Sequence, residues 1–330
     1  MKKNRLFAIV LSGLLLTGNM LPVGATYQSS EEIAFAVRPV DVADEYIYDE
    51  VEGEKTIYLY QDDLKEGKKL HLSVFVEAET QQIDVIDLVL QTNTPKITFD
   101  SESFVPPNRA YYETEQIFTL PDGTEFSTDF KPYCFGSVGL SKVYNINCMF
   151  FSGFDETQAA FSSQFLLMPG AKHEFLGGQS DLFSFVDLDV DVAPDIESGI
   201  YRVGFAEPTE EKKKPNCTTY IVDSQYIDTI PTLKGCNICV GKRGDIDGNG
   251  VISADDASKI LIYAAESGSG AIAKLTEDGT GAGENLACFV ADVTGDKRLD
   301  ATDAANILTY AAIAGSGKVP DWNEIISQND

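Results

Sequence analysis

Two loops rich in oxygen-bearing side chains lie near the C-terminus of this 330-residue chain, one beginning at Asp245 and the other at Asp292. A hard cation such as Ca²⁺ takes about six to eight oxygen ligands, and a loop with such ligands at alternate positions can wrap around it. Each loop has oxygen-bearing side chains at positions 1, 3, 5, 9 and 12, and the residue at position 7 can offer its carbonyl. The sequence therefore predicts two bound Ca²⁺ ions. The predicted ligands are Asp245, Asp247, Asn249, Val251, Ser253 and Asp256 in the first loop, and Asp292, Thr294, Asp296, Arg298, Asp300 and Asp303 in the second.

The two loops depart from the EF-hand pattern, which has Glu at position 12 where both loops have Asp. The first loop has Gly250 at position 6, where the backbone must turn sharply. The second has Lys297 there, which costs steric strain if φ is positive, and Thr294 offers only a neutral hydroxyl. Asp300 adds a carboxylate that partly compensates. We expect the second loop to bind Ca²⁺ more weakly than the first.

Asp, Asn and Gly also mark ordinary turns, so a single loop of this kind is weak support for a metal site. Here the residues after the two loops repeat as well. Apolar residues with helical spacing recur at the same offset, and we interpret them as mostly core. A repeat of loop and helix together favours a paired loop–helix unit. The matching pairs are Ile260 and Ile307, Leu261 and Leu308, Tyr263 and Tyr310, and Ala264 and Ala311.

The sequence pattern divides the whole chain into four parts. Residues 1–25 have a basic start, a short apolar run and small residues at 23–25, which predicts a signal peptide and secretion. Residues 26–54 are acidic without clean periodicity, and we expect a flexible lead-in. Residues 55–241 are short alternating runs between turn signals, which predicts an all-β sandwich. Residues 242–330 are Ala-rich helical runs, which predict a small all-α domain.

The charge of the chain restricts its partners. The formal net charge is −27 at neutral pH, whereas nucleic acids and anionic membranes bind surfaces rich in Lys and Arg. We therefore expect neither nucleic-acid binding nor membrane insertion. No second long apolar run follows the predicted signal peptide, so we expect attachment to a cell surface only through a partner.

The tandem loops, each followed by one helix, resemble a dockerin, the calcium-binding unit of cellulosomal proteins. The resemblance covers residues 242–330 and implies two Ca²⁺ ions, three helices and a helical face that docks into a cohesin domain of a scaffoldin. Trp322 stands where a tail could clamp the two repeats. In dockerins, loop positions 10 and 11 help to choose the partner, and their mismatch here suggests one preferred docking orientation. These positions are Ala254 and Asp255 in the first repeat, and Ala301 and Thr302 in the second.

The strand runs of residues 55–241 are similar in order and style to a cohesin, a nine-stranded jelly-roll sandwich. This resemblance implies that a dockerin of an enzyme or another subunit binds a flat sheet face, formed by strands near residues 83–90, 133–138 and 144–151. Residues 101–133 and 156–180 look like insertions relative to a compact cohesin. The combined resemblance implies a scaffoldin-type, non-catalytic adaptor of a cellulosome-type complex, which serves polysaccharide degradation.

The alternative is a carbohydrate-binding or glycoside-hydrolysing module that the dockerin delivers to a scaffoldin. The β domain has no Trp to form a sugar platform, since Trp322 is the one Trp of the chain. Glycosidases need two facing carboxylates, and no motif singles out Glu113, Glu115 or Glu174 for that role. His71 and His173 lack a recognisable nucleophile partner. We therefore expect a protein that is not an enzyme.

The six cysteines allow several interpretations. The pair in CNIC, Cys236 and Cys239, has no second CxxC and no nearby His, so small core residues are favoured over metal or redox chemistry. Cys134 and Cys148 become direct cross-strand neighbours if residues 133–150 form a hairpin that turns around residues 139–142. A one-residue slip in register would instead send them to different faces.

Overall fold

The computed structural model describes residues 28–40, 47–51, 53–78, 83–105, 116–119, 125–128, 146–147, 160–166, 179–207, 219–223 and 228–329. Strands fill the larger N-terminal part and four helices the C-terminal part. The strands are β1 (Gln28–Pro39), β2 (Ile47–Val51), β3 (Glu54–Tyr60), β4 (Lys68–Ala78), β5 (Ile83–Thr92), β6 (Ile97–Val105), β7 (Gln116–Thr119), β8 (Glu125–Thr128), β9 (Ile146–Asn147), β10 (Ala160–Leu166), β11 (Gln179–Val192), β12 (Gly199–Phe205), β13 (Tyr220–Asp223), β14 (Asp228–Lys234) and β15 (Cys236–Gly241). The helices are α1 (Ala254–Gly268), α2 (Gly281–Ala291), α3 (Ala301–Gly315) and α4 (Trp322–Asn329).

One continuous sheet runs in the order β2-β3-β15-β12-β5-β13-β14-β1-β4-β11-β6. Outside this order, β10 also pairs with β5, and β9 pairs with β10. Strands from both halves of this path line a single core, so the sheet folds back on itself as a sandwich. Most pairs are antiparallel, while β15 with β3 and β1 with β14 are parallel. The predicted β-sandwich is therefore observed, with more strands than the nine expected.

Alternation along the strands places the core. In β11, Val186, Leu188, Val190 and Val192 are buried, and the Asp residues between them are not. Because successive side chains of a strand point to opposite faces, period-2 spacing of branched residues supplies one apolar face. The opposite face of β11 is polar, where Lys69 of β4 forms ion pairs with Asp100, Asp189 and Asp191.

The prediction of a flexible lead-in over residues 26–54 is wrong for residues 28–39 and 47–51. The second stretch forms β2, which pairs with β3. The first stretch forms β1, which pairs with β4 and β14, and Ile33, Phe35 and Val37 are buried in the sandwich core. The alternation of these three residues was a strand signal that the surrounding acidic residues obscured. Both partner strands are distant in sequence, so no local hairpin pattern marked β1.

Part of the stretch interpreted as an insertion, residues 156–180, belongs to the sheet. Residues 160–166 form β10, which pairs with β5 along its length and with β9 at its other edge. Strand β9 therefore reaches β5 only through β10. Residues 133–138, Cys134 and Cys148 lie outside the described residues, which include only 146–147 of the predicted hairpin. The candidates Glu113, Glu115, His173 and Glu174 also lie outside them.

The helical unit shares a core with the sandwich. On β3 and β15, Ile57 and Ile238 point into the sandwich, whereas Tyr58 and Cys239 point outward into a second core with the helices. Helix α2 packs on this outer face of β3 and β15. Cys236 and Cys239 thus lie buried and unbridged on opposite faces of one strand, as expected for small core residues.

The number of helices differs from the three expected. Helix α2 lies between the two repeats, and apolar residues of its inner face cover β3 and β15. The glycines around it obscured a short helical pattern that is stable because it packs on the sandwich rather than through its own propensity. No helix in the described ranges is long and apolar enough to cross a membrane.

Candidate functional site

The first acidic loop gathers three carboxylates where the chain enters α1. One ligand oxygen each from Asp245, Asp247 and Asp256 lies within 4.8 Å of the others. Asp245 and Asp256 are buried, and Asp247 is exposed. The convergent donors are all oxygen atoms, which is the set that a hard cation such as Ca²⁺ prefers. The residues of the first loop therefore fit a calcium ion.

Backbone hydrogen bonds hold this loop in shape. Asp245 accepts from the Asn249 N–H at 3.1 Å and from the Gly250 N–H at 2.8 Å. Ser253 caps α1, and Asp256 accepts from the N–H of Ser253 at 2.9 Å and of Ile246 at 2.9 Å. Asp256 thus links the loop entrance to the first turn of the helix. These contacts position the carboxylates through the backbone.

The electrostatics of the first loop favour a cation. Burial raises the pKa of Asp245, and the nearby carboxylates of Asp256 and Asp247 raise it further. The carboxylates repel one another in a partly dehydrated site, which a divalent cation relieves. In the described part of the chain, this is the one place where at least three acidic, His or Cys side chains converge in this way.

The second loop has a similar hydrogen-bond pattern, but a hydroxyl replaces one of the carboxylates. Asp292 accepts from the N–H groups of Gly295 at 2.8 Å, Asp296 at 3.1 Å and Lys297 at 2.8 Å. The Thr294 hydroxyl lies between two carboxylates, 3.1 Å from Asp303 Oδ1 and 3.3 Å from Asp292 Oδ1. A hydroxyl thus occupies the position that Asp247 fills in the first loop. Fewer negative charges converge here.

The second loop has a residue with strained backbone and a carboxyl group with a raised pKa. Lys297 has φ of 65°, the left-handed conformation that Gly250 adopts at φ of 84° in the first loop. Burial raises the pKa of Asp303, while hydrogen bonds from Asp300 and Thr294 lower it less. The predicted strain at Lys297 is confirmed.

The remaining predicted ligands take part in local structure. Asn249 and Asp296 accept at position 5 from the N–H of position 7, Val251 at 2.7 Å and Arg298 at 2.8 Å. At position 9, Ser253 caps α1 and Asp300 caps α3, so both serve the helix N-terminus. Hydrogen bonding from Thr302 lowers the pKa of Asp300. Calcium ligation by these residues stays a prediction.

The predicted partner-binding residues, Ala254, Asp255, Ala301 and Thr302, are exposed in the first turns of α1 and α3. Seven residues further along, on the same side of each helix, lie exposed apolar side chains. Leu261 is 46% exposed and Ile262 58% in α1, and Leu308 is 43% exposed in α3. We call this surface the α1–α3 face, defined by these seven residues.

The sequence interpretation of the repeat as mostly core is correct for Ile260 and Ile307, which are fully buried, and wrong for Leu261 and Leu308. The two helices pack against each other through the buried pair, so the following residue of each helix points away from that contact. The repetition of Leu at the same position in both helices was the sequence signal for this exposed pair. Leu261 and Leu308 thus occupy equivalent exposed positions in the two repeats.

The C-terminal helix joins the two repeats. The Trp322 ring stacks on Tyr310 of α3, with centroids 4.4 Å apart. Gly244, at the entrance of the first loop, has φ of 81°, and a Cβ there would lie 2.9 Å from the Trp322 ring. Trp322 therefore lies between the end of the second repeat and the start of the first, where the sequence placed it.

No family model matches the chain, and no curated protein matches it. Solved structures similar to it include a type III cohesin module from a cell-surface anchoring scaffoldin of Ruminococcus flavefaciens, at 10% identity over 65% of this chain and 90% of the other, with a TM-score of 0.33. Another is the sixth cohesin of scaffoldin B from Acetivibrio cellulolyticus in complex with a dockerin, at 10% identity over 66% and 100% of the chains, with a TM-score of 0.30. A third is a type I cohesin–dockerin complex from Clostridium thermocellum, at 11% identity over 64% and 100%, with a TM-score of 0.28.

Proposed function

We propose that this chain is a secreted, non-catalytic adaptor of a cellulosome-type complex. Its helical unit acts as a dockerin that binds a cohesin of a scaffoldin, and its β-sandwich acts as a cohesin that binds a dockerin of another subunit. The observation that carries the proposal is the paired architecture of the helical unit. Two acidic loops, each capping a helix, place exposed apolar residues at equivalent positions on one α1–α3 face.

The acidic loops hold that face in place. Asp245, Asp247, Asn249, Ser253 and Asp256, with the Val251 carbonyl, would hold one Ca²⁺, and the equivalent residues of the second loop another. When bound, the ion supplies positive charge that offsets the repulsion between loop and helix carboxylates. Asp256 and Asp303 connect each loop to the first turn of its helix. The orientation of α1 and α3 therefore depends on the state of both loops.

The α1–α3 face suits a protein partner. Its apolar side chains are rimmed by small and polar residues at the helix N-termini, as in the centre and rim of many protein interfaces. Ala254 and Ala301 leave room for close approach, while Asp255 and Thr302 differ between the repeats. This asymmetry supports one preferred docking orientation.

The sandwich would present its partner surface on the sheet that contains β5, β10 and β9. β10 pairs with β5 from Ala160 to Leu166, and β12 pairs with the other edge of β5. This gives a sheet several strands wide beside the core. The assignment of this surface to a dockerin rests on the resemblance of the strand order to a cohesin.

Binding assays with the full chain test the proposal. We expect retention by an immobilised cohesin with Ca²⁺ and loss of retention in chelator, together with capture of a dockerin by the sandwich. The double variant Leu261→Lys/Leu308→Lys should weaken cohesin binding at least about 100-fold, because charge replaces apolar contact in a buried interface. Ile272→Lys is the matched control, since Ile272 is 94% exposed but lies outside the α1–α3 face.

Retention on cellulose or xylan without any protein partner, or release of reducing sugars, would contradict the proposal and favour a dockerin-borne carbohydrate-binding or hydrolytic module. Unchanged cohesin binding by the double variant would contradict the assignment of the α1–α3 face. Secretion is tested by the N-terminal sequence of the mature protein in the culture medium, which should begin after residue 25.

A further inference from the structure

Strand β3 of the sandwich extends its last side chain into the helical unit. The Tyr60 ring stacks on Phe289 of α2, with centroids 4.2 Å apart and an interplanar angle of 21°. The Arg243 guanidinium carbon lies 4.1 Å from the centroid of the Tyr60 ring. Tyr60 is therefore held in place by residues from the helical unit.

The hydroxyl of Tyr60 lies at the beginning of the second acidic loop. Its oxygen is 3.1 Å from the Phe289 carbonyl and 3.2 Å from the Asp292 carbonyl, so its proton is shared between the end of α2 and the first residue of the loop. A phenol keeps its proton throughout the physiological pH range, so the hydroxyl donates to these carbonyls.

Asp292 is the residue on which the loop closes. Three loop N–H groups converge on its carboxylate, and its own backbone leaves the helix at φ of −75° and ψ of 73°. A hydrogen bond to the Asp292 carbonyl restrains the peptide that follows its Cα, and so restrains the direction of the side chain. We propose that Tyr60, a residue of the β-sandwich, is a positioning residue for the second calcium loop.

The second loop needs such support more than the first. Lys297 holds a positive φ that is unfavourable for a residue with a Cβ, whereas Gly250 takes the same conformation freely. The entrance of the second loop also has a backbone bond, from the Asp292 N–H to the Cys288 carbonyl at 3.1 Å. The entrance of the first loop is held by the Gly244 N–H, which donates to the Val290 carbonyl at 2.8 Å. A change at the Tyr60 hydroxyl leaves that bond in place.

The role of Tyr60 rests on the proposed calcium binding, and it links that binding to the sandwich. If Tyr60 favours the loop conformation that binds Ca²⁺, Ca²⁺ must in turn favour the position of Tyr60 by the same factor. Occupancy of the second loop is then linked to the packing of β3 on α2.

Hydrogen–deuterium exchange of the full chain during a calcium titration tests the proposal, because mass spectrometry follows the two loops separately in one molecule. In Tyr60→Phe, the calcium concentration that half-protects residues 292–303 should rise about fivefold, the effect of losing one partly buried hydrogen bond. The midpoint for residues 245–256 should stay within about twofold, as the first loop lacks this bond.

Tyr201→Phe is the matched control, because the Tyr201 hydroxyl also donates to a backbone carbonyl, that of Glu197 at 2.8 Å, within the sandwich. It should leave both midpoints unchanged. Equal shifts in both loops, or no shift at residues 292–303, would overturn the positioning role while leaving calcium binding in place. An unmodified chain in which Ca²⁺ protects neither loop would overturn the proposed calcium binding and the role of Tyr60 together.

Discussion

Glu54, at the first position of β3, accepts hydrogen bonds from Arg202 Nε at 3.0 Å and from the Gly235 N–H at 2.6 Å. Burial raises the pKa of Glu54, but the hydrogen bonds from Arg202 and Gly235 and the Arg202 charge outweigh it, so the pKa is lowered from 4.5. A lowered pKa in the folded state means that ionised Glu54 stabilises the fold above pH 4.5. This contribution is lost as the pH falls through the lowered value.

We predict that Glu54→Gln lowers the free energy of unfolding by about 1–2 kcal/mol at pH 7, because it removes one partner of a partly buried ion pair. The difference from the unmodified protein should shrink as the pH falls below 4.5. Urea unfolding at several pH values measures it. Asp195→Asn is the control, since its ion pair with Lys96 is exposed and should contribute nothing measurable. A difference independent of pH would contradict the role given to the charge.

Lys297 offers a second test at this scale, because its φ of 65° can be relieved by one substitution. Lys297→Gly should raise stability by about 0.5–1 kcal/mol, as relief of the left-handed strain exceeds the added flexibility of the unfolded chain. Thermal unfolding in chelator measures the change without an ion. Lys297→Ala removes the same charge and keeps the Cβ, so it should show no gain. An equal gain in both variants would assign the effect to charge rather than to the backbone.

At the scale of elements, helix α2 depends on close contact with β15. A Cβ at Gly241 would collide with Val290 Cγ1 and lie 3.0 Å from Leu286 Cδ1, so no side chain fits between strand and helix. Gly241→Ala should cost about 1–3 kcal/mol through overpacking. Gly283→Ala, within α2 and with nothing within 4 Å of an added Cβ, should instead stabilise by about 0.5–1 kcal/mol. Chemical denaturation compares the two. Equal effects would mean that α2 does not pack as described.

The same elements separate what the sequence predicts from what it does not. The acidic loops, their helices and the strain at Lys297 follow from residue types at fixed spacing, which is local information. Strand β1 was misinterpreted and strand β10 was not anticipated, because their partners are distant in sequence and a strand is stabilised by what pairs with it. Helix α2 was missed for a related reason: its apolar face is stabilised by packing against Tyr58 and Tyr60, which are distant in sequence. Exposure of Leu261 likewise depends on how α1 meets α3.

At the scale of the whole molecule, the shared core predicts that Ca²⁺ affects the sandwich unevenly. Removal of Ca²⁺ should increase amide exchange in α2, β3 and β15, which meet the helical core, while β4 and β11 keep their protection. Exchange measured on the full chain with calcium and with chelator tests this expectation. Uniform loss across all strands would indicate one cooperative unit, and no change in β3 would mean that the shared core does not couple the two parts.

Only Lys242, Arg243 and Gly244 separate the last strand from the first acidic loop, and each of them makes a contact. The Lys242 Nζ donates to the Gly250 carbonyl at 2.8 Å. The Arg243 side chain lies over Tyr60, and Gly244 lies beside Trp322. A long flexible tether lets the proteins at its ends search a volume and meet in many orientations. A protein bound at the α1–α3 face and another bound by the sandwich would instead keep a fixed distance and a fixed angle between them. An assembly that contains several such chains would extend in a direction that this junction sets.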